Sequence, residues 1–410
     1  MHFIVTAIGS HGDINPMLMI ASELKERGHD VDFLANAYFA DKVSMAGVDH
    51  IELGDLAIYE KAVEDPDMWD ARKGFAAIWK LLREVLEMNF ERIKEYAVPG
   101  KTRLVGSTLA FGSRLAQEKL DLKMASIHLS PSVILSACDP LVIPGLPMPK
   151  WLPLPLRQLL IRSIDHFLLD KVCKSDINRV RHELKLSPVA AIMSTWCHSP
   201  DLVICAFPDW FATPQPDWPK NTITTGFPRF NAQDGVLDSK LEEFIDSGAP
   251  PLVFTAGSAM AHSTKFFETA IKTAERLQAR AILVNAFQYQ VPESLPENII
   301  HQSYAPFGKL FPRASVVVHH GGIGTSAQSL AAATPQMVVP FAHDQFDNAS
   351  RLSRLGVAKT TTTIDPDIWT NNIGALLDNP NFAKKCAHYS NLITSNQTPE
   401  KQIADTLEKL

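Results

Sequence analysis

Hydrophobic and polar positions along this chain change period again and again. Short apolar runs at Phe3 to Ala7, Val31 to Ala35, Leu104 to Thr108, Lys123 to Ile127 and Asp201 to Ala206 punctuate stretches whose apolar residues recur at helical spacing. Runs of that length bounded by turn residues read as buried strands, and strands separated by helices predict a parallel, doubly wound α/β sheet. The helical period is clearest from Met68 to Tyr96, where Phe75, Ile78, Leu82, Val85, Leu86, Phe90 and Ile93 mark one long amphipathic helix or a pair. At the start, Pro16 suits a first helical turn, Met17 to Arg27 continues the helical pattern, and Gly28 is its C-terminal stop.

The pattern restarts in the second half. Leu252 to Thr255 followed by Ala256-Gly257-Ser258 echoes the opening Thr6-Ala7-Ile8-Gly9-Ser10, and Thr264 to Leu277, Ala281 to Val284 and Phe307 to Pro312 continue as helix, strand and short helix. Two such α/β domains are expected to face one another across a cleft. Between the halves, Phe207 to Asn231 is rich in Pro and Asp, as interdomain linkers are. A proline-dense stretch, Asp139 to Pro155, excludes regular structure and predicts a long loop. Beyond it, Trp151 to Leu169 interleaves Trp and Leu with Arg157 and Arg162, a composition also suited to weak peripheral contact with a membrane surface.

The densest chemistry lies from Val316 to Asn348. A β-branched run drives into His319-His320-Gly321-Gly322-Ile323-Gly324-Thr325-Ser326, and small helix formers follow to Ala333. Strand, glycine turn and helix N-terminus together form a cradle for a phosphate, because the first free N–H groups and the helix dipole point at whatever sits above. Adjacent strand residues point to opposite faces, so only one of His319 and His320 can meet a ligand there. Met337 to Val339 forms a further strand, and the loop after it carries Asp344, Gln345 and Asn348, suited to hydroxyl groups.

This stretch resembles the donor-binding segment of the two-domain nucleotide-sugar glycosyltransferases, family 1, which act on natural products and sterols. The resemblance extends upstream, where Tyr304-Ala305-Pro306 stands in place of that family's Trp-x-Pro-Gln. It implies the GT-B fold, with two facing Rossmann-like domains, parallel sheets and a deep interdomain cleft. The implied division is an acceptor-binding domain over 1–207, a linker over 208–231, a nucleotide-sugar domain over 232–381, and a helical tail over 382–410 that crosses back to brace the first domain. Tyr304 would then stack on the nucleobase, His320 bind the pyrophosphate, and Asp344 with Gln345 hold the sugar. Tyr for Trp, and Phe307 for Gln, leave uracil and thymine both open. The first turn, Gly9-Ser10-His11-Gly12-Asp13-Ile14-Asn15-Pro16, coincides with the one that carries the catalytic Asp or His in this family.

Transferring a sugar to a hydroxyl needs a base for the acceptor proton and donors for the departing diphosphate. His11 and Asp13 are the candidate bases. Asp13 also suits a helix N-cap, and an unperturbed carboxylate is the weaker base of the two. Gly322, Gly324, Thr325, Ser326, His320 and Ser258 are the candidate diphosphate donors. His128 after a strand and Trp151 in the proline loop are candidates for lining an apolar acceptor pocket. No DxD cluster with metal-diphosphate spacing is present, so neither metal nor cofactor is expected, the nucleotide sugar being a co-substrate.

Composition narrows the classes further. The 410 residues suit two domains of roughly 200 each, and 46% hydrophobic with 20% charged residues is the balance of a soluble globular protein. A net charge of −6 speaks against nucleic acid as a partner. The five cysteines are scattered without CxxC pairing, and the apolar N-terminus reads as a first strand rather than a leader; both point to the cytoplasm. The expected activity is an inverting, metal-independent hexosyl transfer from a UDP- or dTDP-sugar to a flavonoid or other polyphenol, sterol or macrolide hydroxyl. The rivals are a nucleotide-sugar epimerase of the same architecture, with no apolar acceptor, and a non-catalytic nucleotide-sugar binder, with no use for Asp13. Oligomeric state is left open by the sequence.

Overall fold

The computed structural model describes all residues except 147, 150, 230–234, 259, 396 and 397. The chain divides into two compact units, Met1–Pro228 with Gln397–Leu410, and Arg229–Asn396. The expected boundary at 231/232 lies outside the described residues.

The first unit is built on strands β1 (His2–Thr6), β2 (Asp30–Ala35), β3 (Asp49–Glu52), β4 (Thr102–Ser107), β5 (Lys123–His128), β6 (Leu202–Cys205) and β7 (Thr222–Thr224), in the order β3-β2-β1-β4-β5-β6-β7. Every pairing is parallel. Helices cover both faces, which is why β1 and β6 are buried at every position and read as continuous apolar runs. One face packs under α1 (His11–Glu26) through Ile14, Met17, Leu18 and Ala21. The other packs under α2 (Gly74–Tyr96) through Trp79, Leu82, Val85, Leu86, Phe90 and Ile93. The long helix expected over 68–96 is therefore one helix, preceded by a short turn at Pro66–Trp69. After the proline-rich stretch comes α3 (Leu154–Ile164). Strands β3 and β7 were not legible in the sequence. Each is a short edge strand with few apolar residues, and β7 lies inside the stretch expected to be a linker.

The second unit repeats the plan with β8 (Leu252–Thr255), β9 (Ala281–Val284), β10 (Ile299–Gln302), β11 (Val316–His319), β12 (Gln336–Val338) and β13 (Ala358–Thr360), ordered β10-β9-β8-β11-β12-β13 and all parallel. Helix α4 (Ile323–Ala331) follows β11 and α5 (Gln345–Leu355) follows β12.

The chain returns to the first unit later than the sequence implied. Helix α6 (Pro380–Thr394) stays with the second unit, where Cys386 is fully buried and the Ser390 hydroxyl donates to the Ala331 carbonyl at 2.8 Å. Helix α7 (Pro399–Leu407) is the part that joins the first, burying Ile403, Ala404 and Leu407 in the α1 face of its core. Arg27 donates to Asp405 at 2.6 Å and to the Lys401 carbonyl at 3.1 Å, and His29 pairs with Glu408 at 2.8 Å. Burial of an aliphatic side chain contributes about 1.5–3 kcal/mol, against about 0–1 kcal/mol for a solvent-facing ion pair, so the apolar residues hold α7 and the charges set its register. No helix among the described residues is long and apolar enough to cross a membrane.

Candidate active site

Both sheets reverse direction of growth at their first strand, between β1 and β4 in one unit and between β8 and β11 in the other. Loops at the carboxyl ends of strands flanking such a switch point are where α/β sheets take ligands. His11 and Asp13 follow β1 at the first of these places, and Ser258, His320, Gly322 and Gly324 follow β8 and β11 at the second.

In the first unit, β1 ends in a turn whose Ile8 N–H donates to Ser107 Oγ at the end of β4, 3.2 Å away. Helix α1 begins at His11, more than a turn ahead of the expected start at Pro16 and Met17, and Ser10 is its N-cap. The Ser10 hydroxyl accepts the Gly12 N–H at 3.3 Å, and Asp13 Oδ2 accepts the Ser10 N–H at 2.8 Å and its hydroxyl at 3.3 Å. Asp13 is thus the third helical residue of a capping box, and Ser10 fills the N-cap role that aspartate was suited to. Pro16 falls inside the helix and withholds an N–H from the Gly12 carbonyl; Gly12 is exposed, so solvent is at hand for that group. Gly9 is required here, since its φ is +137° and a Cβ would lie 2.2 Å from Asp13 Oδ2.

Burial inverts the basicities of the two candidates. Loss of solvation pushes the Asp13 carboxyl up to about 6, outweighing the hydrogen bonds from Ser10 that favour its charge. Burial, helped by the Lys42 charge, pushes His11 down to about 4. Its ring packs edge-on against Tyr38 and Phe39 at 5.6 and 5.1 Å, with Tyr38 stacked on Tyr59 at 4.2 Å, and Nδ1 is buried without a hydrogen-bond partner. The carboxylate is the stronger base of the pair.

His128 is not at a pocket. It is fully buried, its Nδ1 paired with Thr108 Oγ1 at 3.0 Å and its Nε2 with His198 Nδ1 at 2.8 Å, and burial lowers its basicity. A strand-end position does not reveal whether a side chain turns in or out. Trp151 takes the opposite extreme, 81% exposed just before α3.

In the second unit, the two adjacent histidines part as strand geometry requires. His319 is fully buried; Gly321 N–H donates to its Nδ1 at 3.1 Å, so its Nε2–H donates to Gln336 Oε1 at 2.8 Å and the neutral tautomer is set. His320 turns toward the loops and lies between two glycines. A Cβ on Gly257 would fall 2.8 Å from its Cε1, and one on Gly322 2.4 Å from its Nε2. Gly257, with φ +99°, belongs to the turn after β8, so His320 spans the switch point. Burial lowers its pKa to about 3, and its Nδ1 has no partner. In the free protein at neutral pH the ring is therefore a neutral imidazole.

Gly322 is the N-cap of α4 and supplies no side-chain cap, and the first backbone bond of the helix to reach back is from Ser326 to Gly322 at 3.0 Å. The N–H groups of Ile323, Gly324 and Thr325 precede it and have no intrahelical acceptor, which is the anion cradle expected. Space above Gly324 is open. Ser326 does not contribute: its hydroxyl also donates to the Gly322 carbonyl, and the residue is fully buried. Ser258 is exposed in the β8 turn, and Tyr304 is 64% exposed just beyond β10.

Asp344 precedes α5, and Asn348 one turn on donates from Nδ2 both to Asp344 Oδ2 at 2.8 Å and to the Gly321 carbonyl at 3.0 Å. Asn348, fully buried on the helix rather than in the loop, therefore ties the carboxylate to the glycine turn. Gln345 is turned inward, its Oε1 accepting the Phe341 and Ala342 N–H groups at 2.8 and 3.1 Å, so only its amide NH₂ is left to offer. Sequence reasoning did not assign Asn348 and Gly257 these roles, since both act through contacts across the fold.

Two family models match this chain: the glycosyltransferase family 28 N-terminal domain over residues 3–120, and the erythromycin biosynthesis protein CIII-like C-terminal domain over 269–410. The chain belongs to the natural-product and sterol glycosyltransferases. It is similar to the O-mycaminosyltylonolide 6-deoxyallosyltransferase of Streptomyces fradiae, 25% identical over 87% of this chain and 85% of that one. It is also similar to a sterol 3-beta-glucosyltransferase of Arabidopsis thaliana, 26% identical over 86% of this chain, of which it spans 58%. The spinosyn rhamnosyltransferase SpnG complexed with thymidine diphosphate shares the GT-B fold of this glycosyltransferase, with a TM-score of 0.70 at 19% identity over the full length of both chains.

Proposed function

We propose that this glycosyltransferase moves a hexose from a UDP- or dTDP-sugar to a hydroxyl of an apolar small molecule, a polyphenol, sterol or macrolide, in one inverting displacement without a metal ion. The observation that carries the reading is the glycine turn of the second unit, where the uncapped start of α4 and the His320 ring held between Gly257 and Gly322 form an anion cradle, and the basicities at the end of β1 agree with it. A carboxylate near 6 is matched to abstracting an acceptor proton close to neutral pH, where an imidazole near 4 is not. The first unit supplies this base. The second supplies the leaving-group half of the chemistry, with the free N–H groups of α4 and the neutral His320 ring as donors to the diphosphate and Tyr304 as the exposed ring for the nucleobase. Asp344 accepts from sugar hydroxyls and the Gln345 NH₂ donates to them. One base and one anion cradle are what a single displacement needs, and such a displacement inverts the anomeric carbon. The relatives' names support both acceptor classes, a tylonolide and a sterol, and the thymidine diphosphate bound to the rhamnosyltransferase supports a dTDP donor.

The test is incubation of the purified protein with UDP-glucose and dTDP-rhamnose, each against a panel of phenols, sterols and macrolides, with product masses recorded with and without EDTA. A hexosylated acceptor in the presence of EDTA is expected. Activity abolished by EDTA and restored by magnesium would remove the metal-independent mechanism, and donor conversion without acceptor would favour the epimerase.

Asp344 and Asn348 should separate sugar recognition from diphosphate recognition. Asp344→Ala is expected to cut turnover while sparing affinity for the free nucleoside diphosphate. Asn348→Ala, which releases the Gly321 carbonyl, is expected to weaken the diphosphate itself by about 0.5–1.5 kcal/mol, as loss of a neutral hydrogen bond does. Calorimetric titration of both variants with UDP and dTDP distinguishes them; equal losses would make Asp344 a structural partner of Asn348 alone.

A further inference from the structure

The outer face of α3 and the turn after it is apolar where a solvent-facing helix is normally polar. Leu156, Leu159 and Leu160 are all exposed and fall within about 100° of arc at 3.6 residues per turn. A π turn at Asp165–Leu169 then carries Phe167 and Leu168 outward, 65% and 57% exposed, and Trp151 stands 81% exposed ahead of the helix. Single exposed apolar residues need no explanation, whereas a contiguous set of large ones marks an interaction surface.

The charges on this segment are sorted by sign. From 151 to 171 the only acidic residues are Asp165 and Asp170, and both are buried: Asp165 accepts from the Ser194 hydroxyl, and Asp170 accepts the Ala191 and Ile192 N–H groups at 3.0 and 2.9 Å. The exposed charged or titratable residues are Arg162, His166 and Lys171, all basic, in a chain whose net charge is −6. Arg157 faces inward and donates to the Leu152 and Ala137 carbonyls, which anchors the segment to the unit beneath. A surface of bulky apolar side chains with cations beside them and acids withdrawn is complementary to one occupant, the headgroup and acyl boundary of an anionic bilayer. The apolar side chains enter the boundary, and the long basic side chains reach back to lipid phosphates.

We propose that Trp151 to Lys171 docks this protein peripherally on anionic membrane surfaces. The proposal is independent of which donor or acceptor the enzyme uses.

The experiment is co-sedimentation of the 410-residue chain with vesicles of phosphatidylcholine alone or mixed with phosphatidylglycerol. Wild type is expected to pellet with the anionic vesicles, less with phosphatidylcholine, and less as salt is raised. Two double variants change only exposed side chains, Leu159→Glu with Phe167→Glu and Arg162→Glu with Lys171→Glu. Each is expected to weaken binding at least about tenfold with an unchanged melting temperature. A wild type that stays in the supernatant, or a Leu159→Glu, Phe167→Glu variant that pellets like it, overturns the proposal. So does a wild type that ignores vesicles but self-associates on size exclusion while the same variant is monomeric, because that assigns the face to a second copy.

Discussion

Asp13→Asn is expected to be nearly inactive in a protein that melts no lower than wild type. Loss of a general base is worth about 10²–10⁴ in rate, whereas the Asn side chain keeps an oxygen able to accept the Ser10 N–H. The stability follows from the direction of the shift. Asp13 binds its proton more tightly folded than unfolded, with a folded value of about 6 against the ordinary 3.8. Its contribution to stability therefore falls as pH rises from about 4 through 6 and stays unfavourable above. At pH 7 the neutral Asn is spared that cost. Asp13→Ala also loses the reciprocal cap and should melt lower, by about 0.5–2 kcal/mol of stability. The pH profile of kcat/KM separates the two candidate bases: an acidic limb near 6 assigns the proton to Asp13, and one near 4 to His11. An active Asn variant beside an inactive His11→Ala would leave Asp13 with its capping role alone.

His320→Ala is expected to weaken nucleotide-sugar affinity and turnover together, by about 1.5–3 kcal/mol for a hydrogen bond to a charged group. The ring is held between Gly257 and Gly322, so Gly322→Ala, whose methyl would meet Nε2 at 2.4 Å, should reproduce much of the loss without removing the histidine. Burial lowers the ring's pKa to about 3 in the free protein and a bound diphosphate raises it, so any dependence of donor affinity on pH between 5 and 8 that is lost in His320→Ala marks the ring as a partner of the diphosphate. Calorimetry with UDP and dTDP across that range tests both statements. Unchanged affinity and rate in His320→Ala would remove the residue from the site.

Local pattern along the chain determined the elements that carry chemistry. Val316 to Val318 is β-branched and uniformly apolar, Gly321 with its φ of +93° turns the chain out of the strand, and Ser326 to Ala331 continues as helix, so strand, turn and N-terminus are fixed by neighbours in sequence. The same holds for β1 and its Gly9 turn, and the alternation of strand and helix made both sheets parallel. Strand alternation also decided that only one of His319 and His320 leaves the core. What the sequence alone did not determine depends on residues far apart in the chain. Strand order placed β8 beside β11, and only that pairing sets Gly257 against His320. Burial, a property of the packed unit, made Asp13 a stronger base than His11, reversing their intrinsic order. Packing also turned His128 and the Gln345 oxygen inward and gave Asn348 its link to Gly321, because whether a polar side chain faces solvent or a buried partner is decided by neighbours across the fold. The edge strands β3, β7, β10 and β13 and the late return of the chain with α7 escaped the pattern for the same reason: short elements are stabilised by the sheet edge or core they join rather than by their own residues.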